Sequence, residues 1–115
     1  MNIIHKDLFE GRWFQLSFYE QMAHIGSEVA RAISWRNKRE EYSQRAFERS
    51  LELFDLTVMD SRNKKRLKEL LRCRELWVDY IFGSNTYNQD ERMWQKYFDA
   101  FANAASLRRY SNNRR

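Results

Sequence analysis

The side chains able to do nucleophilic, acid–base or metal chemistry are few and scattered. His5 and His24 are the only histidines, and Cys73 is the only cysteine. One chain cannot assemble a closed Cys/His zinc site from these. A Cys73–His24 nucleophile pair would require two helices to abut, and no local motif arranges it. Cys73 therefore reads as a packed, inert thiol. Carboxylate-bridged di-metal bundles place Glu-x-x-His on two helices. Glu20 precedes His24 by four residues, and His5 has no glutamate before it. There is no Gly-rich phosphate loop and no nucleophile elbow. No catalytic residue, metal or cofactor is expected.

Arg74 is the most informative single residue. A helical wheel puts it at the centre of a stripe built by Leu67, Leu70, Leu71, Trp77, Val78 and Ile81. Buried arginines need partners. Asp55, which interrupts an apolar run, and Glu28, which flanks another, are the candidates. A buried bridge would fix helix register, whereas an unfilled one would await an anionic ligand. Arg72, Glu75 and Asp79 share another face at spacings of three and four, the pattern of a surface ion-pair ladder.

Positive charge is clustered. The formal net charge is +5, and Arg108, Arg109, Arg114 and Arg115 close the chain without an acid. Between positions 62 and 74 seven cations are opposed only by Glu69. Arg62, Lys64, Lys65, Arg66 and Lys68 crowd the start of a predicted helix, where the dipole already supplies positive potential. Free N–H groups beside lysines suit a phosphate. The alternative is a solvated helix face with a frayed terminus. Aromatic residues reach 16% of the chain. Trp13, Tyr19, Trp35, Tyr80, Tyr87 and Tyr97 fall off the main stripes. They either join a protein interface or cover helix ends and crossings.

Apolar spacing supplies the scaffold for these groups. Phe14, Phe18, Met22, Ile25, Val29 and Ile33 recur every three or four residues and predict a helix over about 8–35. Asp7 and Glu10 form its expected N-cap pair. Gly26, mid-helix, costs ~1 kcal/mol relative to alanine unless a neighbour crosses closely there. Further helices are predicted over about 39–59, 63–82 and 90–109, with Gly83 closing the third. Cys73, Leu76 and Tyr80 make the third helix apolar on a second side. Short connections imply a single all-α domain over 1–109, a four-helix up-down-up-down antiparallel bundle. A disordered basic C-terminal tail is expected over 110–115.

Proline is absent and glycine occurs three times, which leaves too few turn residues for an all-β fold. No apolar run approaches the ~20 residues that span a bilayer, and the start lacks a signal peptide's long apolar stretch. A cytoplasmic protein without membrane contact is expected.

Ile25-Gly26-Ser27-Glu28-Val29-Ala30-Arg31-Ala32-Ile33 and Arg72-Cys73-Arg74-Glu75-Leu76-Trp77-Val78-Asp79-Tyr80, with the segments from Tyr42 to Arg49 and Leu51 to Thr57, give the chain a familiar look. It resembles a group of small, uncharacterised bacterial helical proteins. In architecture it is distantly similar to HEPN-like four-helix bundles and ribosomal-RNA intervening-sequence proteins. Catalytic HEPN ribonucleases carry an Arg four to six residues before a His. No arginine stands so before His5 or His24, which argues against ribonuclease activity.

Two functions are expected. The first is non-enzymatic protein association, above all self-association as a homodimer. The alternative is RNA or DNA binding through residues 62–74 and the tail. If Arg74 is buried and paired, Arg74→Ala should destabilise by ~3–5 kcal/mol in a melting experiment.

Overall fold

Ser17 starts the first α-helix. Its Oγ accepts the Glu20 N–H at 3.2 Å, and Glu20 Oε1 accepts the Ser17 N–H at 3.1 Å. This reciprocal capping box satisfies two orphan donors and stops the helix from extending backwards. The computed structural model of the chain describes residues 11–113, with side chains placed through Arg109. It contains α1 (Phe18–Trp35), α2 (Glu40–Met59), α3 (Leu67–Phe82) and α4 (Glu91–Asn113). Two 3-10 turns, Arg12–Gln15 and Ser61–Arg66, precede α1 and α3. No strand occurs among the described residues.

Three boundaries differ from the sequence expectation. The first helix begins at Phe18, not near Leu8. Gly11 takes φ 135°, Leu16 is extended, and Trp13 turns inward to complete burial. The expected Asp7/Glu10 cap lies outside the described residues. The third helix begins at Leu67, because Asp60 caps a 3-10 turn by accepting the Arg62 N–H at 3.0 Å. The last helix keeps helical backbone through Asn113, past the expected end at 109.

Contacting helices pair in reverse order. Ser43 Oγ donates to the Ala32 carbonyl at 2.7 Å, while Arg49 faces Glu28. Across α2 and α3, Trp77 Nε1 donates to Ser50 Oγ at 2.8 Å and Arg74 meets Asp55. Across α3 and α4, Trp77 meets Trp94 edge-to-face at 5.3 Å and Tyr97 reaches Glu69. Helix α4 crosses α1 at Gly26, where an added Cβ would stand 2.6 Å from Phe98 Cβ. The close crossing accounts for a glycine in mid-helix.

The core runs through Met22, Ile25, Val29, Phe47, Leu53, Phe54, Leu70, Trp77, Trp94 and Phe98. Its position corrects the placement of Arg74. The inward face of α3 is Leu70–Cys73–Trp77, not the broader predicted stripe. Leu67 and Leu71 are 39% and 48% exposed, and Arg74 lies between the two faces. Trp77 sets this rotation, since its indole must reach both Ser50 and Trp94. The Arg74–Asp55 pair does form, at 3.0 Å, but with side chains 34% and 60% exposed. It is a surface pair. Of the two candidate partners the buried one is Glu28, which meets Arg31 at 3.1 Å and Arg49 at 3.7 Å rather than Arg74.

Two stability measurements follow. Exposed ion pairs contribute ~0–1 kcal/mol, so Arg74→Ala should shift a urea midpoint only slightly. Gly26→Ala gains helix propensity yet drives a methyl into Phe98. Overpacking of ~1–3 kcal/mol should outweigh the gain, leaving the variant less stable than the parent.

Candidate functional site

At one end of the helices lie the Arg12–Gln15 turn, the start of α1, the Ser61–Arg66 turn and the last turns of α4. A buried polar network builds this end. Gln21 Nε2 donates to Asp60 Oδ2 at 2.9 Å and to the Trp13 carbonyl at 3.1 Å. Asn63 Nδ2 donates to Gln21 Oε1 at 2.9 Å and to the Thr57 carbonyl at 3.0 Å. Trp13 Nε1 donates to Thr57 Oγ1 at 3.1 Å. Arg62 completes the network from outside, pairing with Asp60 at 2.6 Å and donating to the Leu16 carbonyl at 2.7 Å.

This network holds the Asp60 carboxyl far into its ionised range. Hydrogen bonding from Arg62 is the largest cause, opposed by burial and aided by Gln21. Together they lower its pKa from 3.8 to about 2.

The basic groups separated in sequence meet on the outside of this end. Arg66 lies 4.3 Å from the Phe18 ring centroid and 5.9 Å from that of Tyr19. Arg108, from the end of α4, lies 5.3 Å from the same Tyr19 ring. Lys64, Lys65, Lys68 and Arg109 are exposed. Residues 11–20, 60–69 and 101–109 hold eight cations against Glu20, Asp60 and Glu69. At the opposite end, residues 35–45 and 79–92 hold five cations and five acids. Among the described residues the positive charge therefore gathers at this end.

The residues of the expected phosphate site are arranged differently. Lys64 and Lys65 sit on a 3-10 turn, and Arg66 is the N-terminal flanking residue of α3. No α-helix dipole begins beneath the lysines. Arg62 is engaged with Asp60, and Arg66 is 4.0 Å from Glu69. Lys64, Lys65 and Lys68 are exposed, and their neighbour Arg66 shares the Tyr19 ring with Arg108, which the sequence places some forty residues away.

The six interface aromatics divide. Trp13 is core, with no exposed surface, which corrects its assignment as an interface residue. Tyr19, Tyr80 and Tyr97 are half-buried. Tyr19 lies at the basic end, while Tyr80 packs on Trp77 and Trp94 under Arg36. Tyr97 donates to Glu69 Oε1 at 2.9 Å. Trp35 and Tyr87 are exposed at the opposite end, by 38% and 51%.

Cys73 is buried, and burial pushes its thiol pKa up to about 12. His24 is exposed and lies 5.7 Å from Trp13, ring to ring. No group of three or more His, Cys, Asp or Glu among the described residues is arranged to hold a metal. No helix among them is long and apolar enough to cross a membrane.

Gln21, Thr57, Asp60 and Asn63 were not evident as a unit from sequence. The only local signal is an acid two residues before Arg62, the spacing of an Asx-type cap. No protein-family model, curated protein or solved structure matches this chain.

The Asp60 pKa has a direct consequence. Its folded value lies below the unfolded one, so its stabilisation is present above pH ~4 and is lost as pH falls towards ~2. A depression of this size contributes about 2 kcal/mol. Asp60→Asn should cost that much at pH 6. Denaturation curves of the two proteins should converge only below pH ~2, where Asp60 is protonated in the folded state as well.

Proposed function

We propose that this chain is a non-enzymatic binding module, an up-down-up-down antiparallel bundle, whose basic end engages the phosphate backbone of nucleic acid. The observation that carries this reading is the meeting of Arg66, from the 62–68 segment, and Arg108, from α4, around Tyr19. Clustered exposed cations draw phosphates through counterion release. An aromatic ring within such a cluster offers a stacking surface for an unpaired base. A groove-reading helix is not part of the proposal, so recognition is of backbone and single strand rather than of sequence. Kinship with HEPN-like bundles enters as architecture only, and the proposed setting is the cytoplasm.

A second reading is favoured by the opposite end. Trp35 and Tyr42 meet edge-to-face at 5.2 Å and remain 38% and 41% exposed. Phe82, 59% exposed, borders a cleft shared with Arg36 and Glu40 of the same turn. This neutral, aromatic end suits association with a second copy. Self-association would leave both basic ends outward, doubling the phosphate-binding sites.

Both readings can be measured. A random single-stranded oligonucleotide should bind with a log–log salt slope of about −3 if ~4 phosphates are neutralised. Lys64→Glu/Lys65→Glu/Lys68→Glu should flatten that slope and weaken binding, while the melting temperature stays unchanged because these side chains are exposed. A truncation at Leu107 tests the internal cluster alone, and its failure to bind at low salt would remove that cluster from the site. Sedimentation equilibrium addresses association. Dimers at about tens of micromolar should dissociate in Phe82→Ser, and a monomeric parent protein would exclude the second reading.

A further inference from the structure

One apolar stripe of α3 stays out of the core. Leu67, Leu71, Arg74, Val78 and Phe82 recur at steps of four, three, four and four, which sets them on one face of the helix. The core takes Leu70, Cys73 and Trp77 from another face. Leu67, Leu71 and Phe82 keep 39%, 48% and 59% of their surface exposed, and Val78 is half-buried. The stripe therefore lies at the surface along the whole length of α3.

Its one charged member is matched in a particular way. Arg74 stands midway along α3, and Asp55 of α2 lies beside it at 3.0 Å. One charge of each sign is thus held at the centre of the stripe, with apolar side chains towards both ends. A two-fold interface uses the same patch twice, so that patch must complement itself in shape and in charge. A surface with apolar arms and a neutral, two-signed centre meets both conditions.

We propose that α3 packs antiparallel on α3 of a second copy, with Arg74 and Asp55 exchanging partners across the two-fold axis. Leu71 then meets the second copy's Val78, and Leu67 meets its Phe82. The inference rests on the self-association reading and extends that contact from the aromatic end along α3. Charge fixes the direction of packing. The 16 residues of α3 span ~24 Å. Antiparallel packing holds the two Lys64–Lys68 clusters at opposite ends, beyond the ~10 Å over which charges act at ~0.1 M salt. Parallel packing would press them together. The exposed parts of the two leucines and Phe82 amount to roughly 250 Å² per copy, against the ~800 Å² that each partner of a stable complex covers. The contact is therefore small, and the dimer is a weak, exchanging one.

Charge reversal at the centre tests this in the full chain. Arg74→Asp leaves only acids there, and Asp55→Arg leaves only cations. The pair is at the surface, so both variants should melt close to the parent. Sedimentation equilibrium should show parent dimers at about tens of micromolar and at least about tenfold weaker association in each variant. An equimolar mixture of the two variants should recover the parent's association, because each copy supplies the sign that the other lacks. Leu71→Glu, half-exposed on the same stripe, is the second variant should a charge-reversed chain fail to fold, and it should be monomeric. A monomeric parent overturns the inference and the self-association reading together. Parent-like dimers in Arg74→Asp or in Leu71→Glu overturn the inference alone and leave the aromatic end as the contact. A mixture of the charge-reversed variants that stays monomeric overturns it as well.

Discussion

The hydrogen bonds that converge on Gln21 and Asp60 determine how one end of this protein is built. Gln21 is fully buried and Asp60 nearly so, and between them they tie the first turn of the described chain to α1, α2 and the Ser61–Arg66 turn. A partly satisfied network of this kind would be worse than an apolar core. Here each of the four side chains has a partner, and Arg62 supplies the compensating charge. Burying the Asp60 carboxylate without that guanidinium would cost several kcal/mol.

That same network decides where the cations stand. Because Asp60 holds the following turn in 3-10 geometry, Lys64 and Lys65 stand on that turn, not along a continuing helix, and Arg66 is set against the start of α1. Because α4 crosses α1 tightly at Gly26, its final turns reach the same end and bring Arg108 to Tyr19. The basic end of the molecule thus depends on two close-packed features, one polar and one apolar. Like charges gathered in this way repel one another, and among the described residues of this end eight cations face only Glu20, Asp60 and Glu69. Such a cost is characteristic of surfaces that meet an opposite charge.

At the centre, aromatic packing takes over. Trp77, Tyr80, Trp94 and Phe98 form a continuous run of ring contacts between α3 and α4. Large rings hold the two helices at a distance that leaves a cleft open along one side. The excess of aromatic residues noticed in the sequence is largely spent here and at Trp13, not only on outer surfaces. The remaining exposed rings gather at the neutral end.

Much of the architecture was legible from residue spacing. The 3.6-residue apolar repeat marks four helices, and α2 was placed to within a residue because Glu40 and Glu41 open it and its stripe is unbroken. Gly26 signalled a close crossing, since glycine in mid-helix is otherwise unfavourable. The N-terminal segment was read wrongly. Phe14 continues the periodic stripe, but Trp13 inserts into the core and Ser17 restarts the chain as a helix. Arg74 was read as buried because a stripe shared by two adjacent faces of α3 cannot reveal its own rotation. Trp77, with bonds to make on α2 and α4, settled that rotation. The sequence by itself determined the helices and the local charge of each segment. Only the tertiary structure decided which segments share an end and which acid is buried. Periodicity is a property of one helix, whereas burial and charge convergence arise between helices distant in the chain.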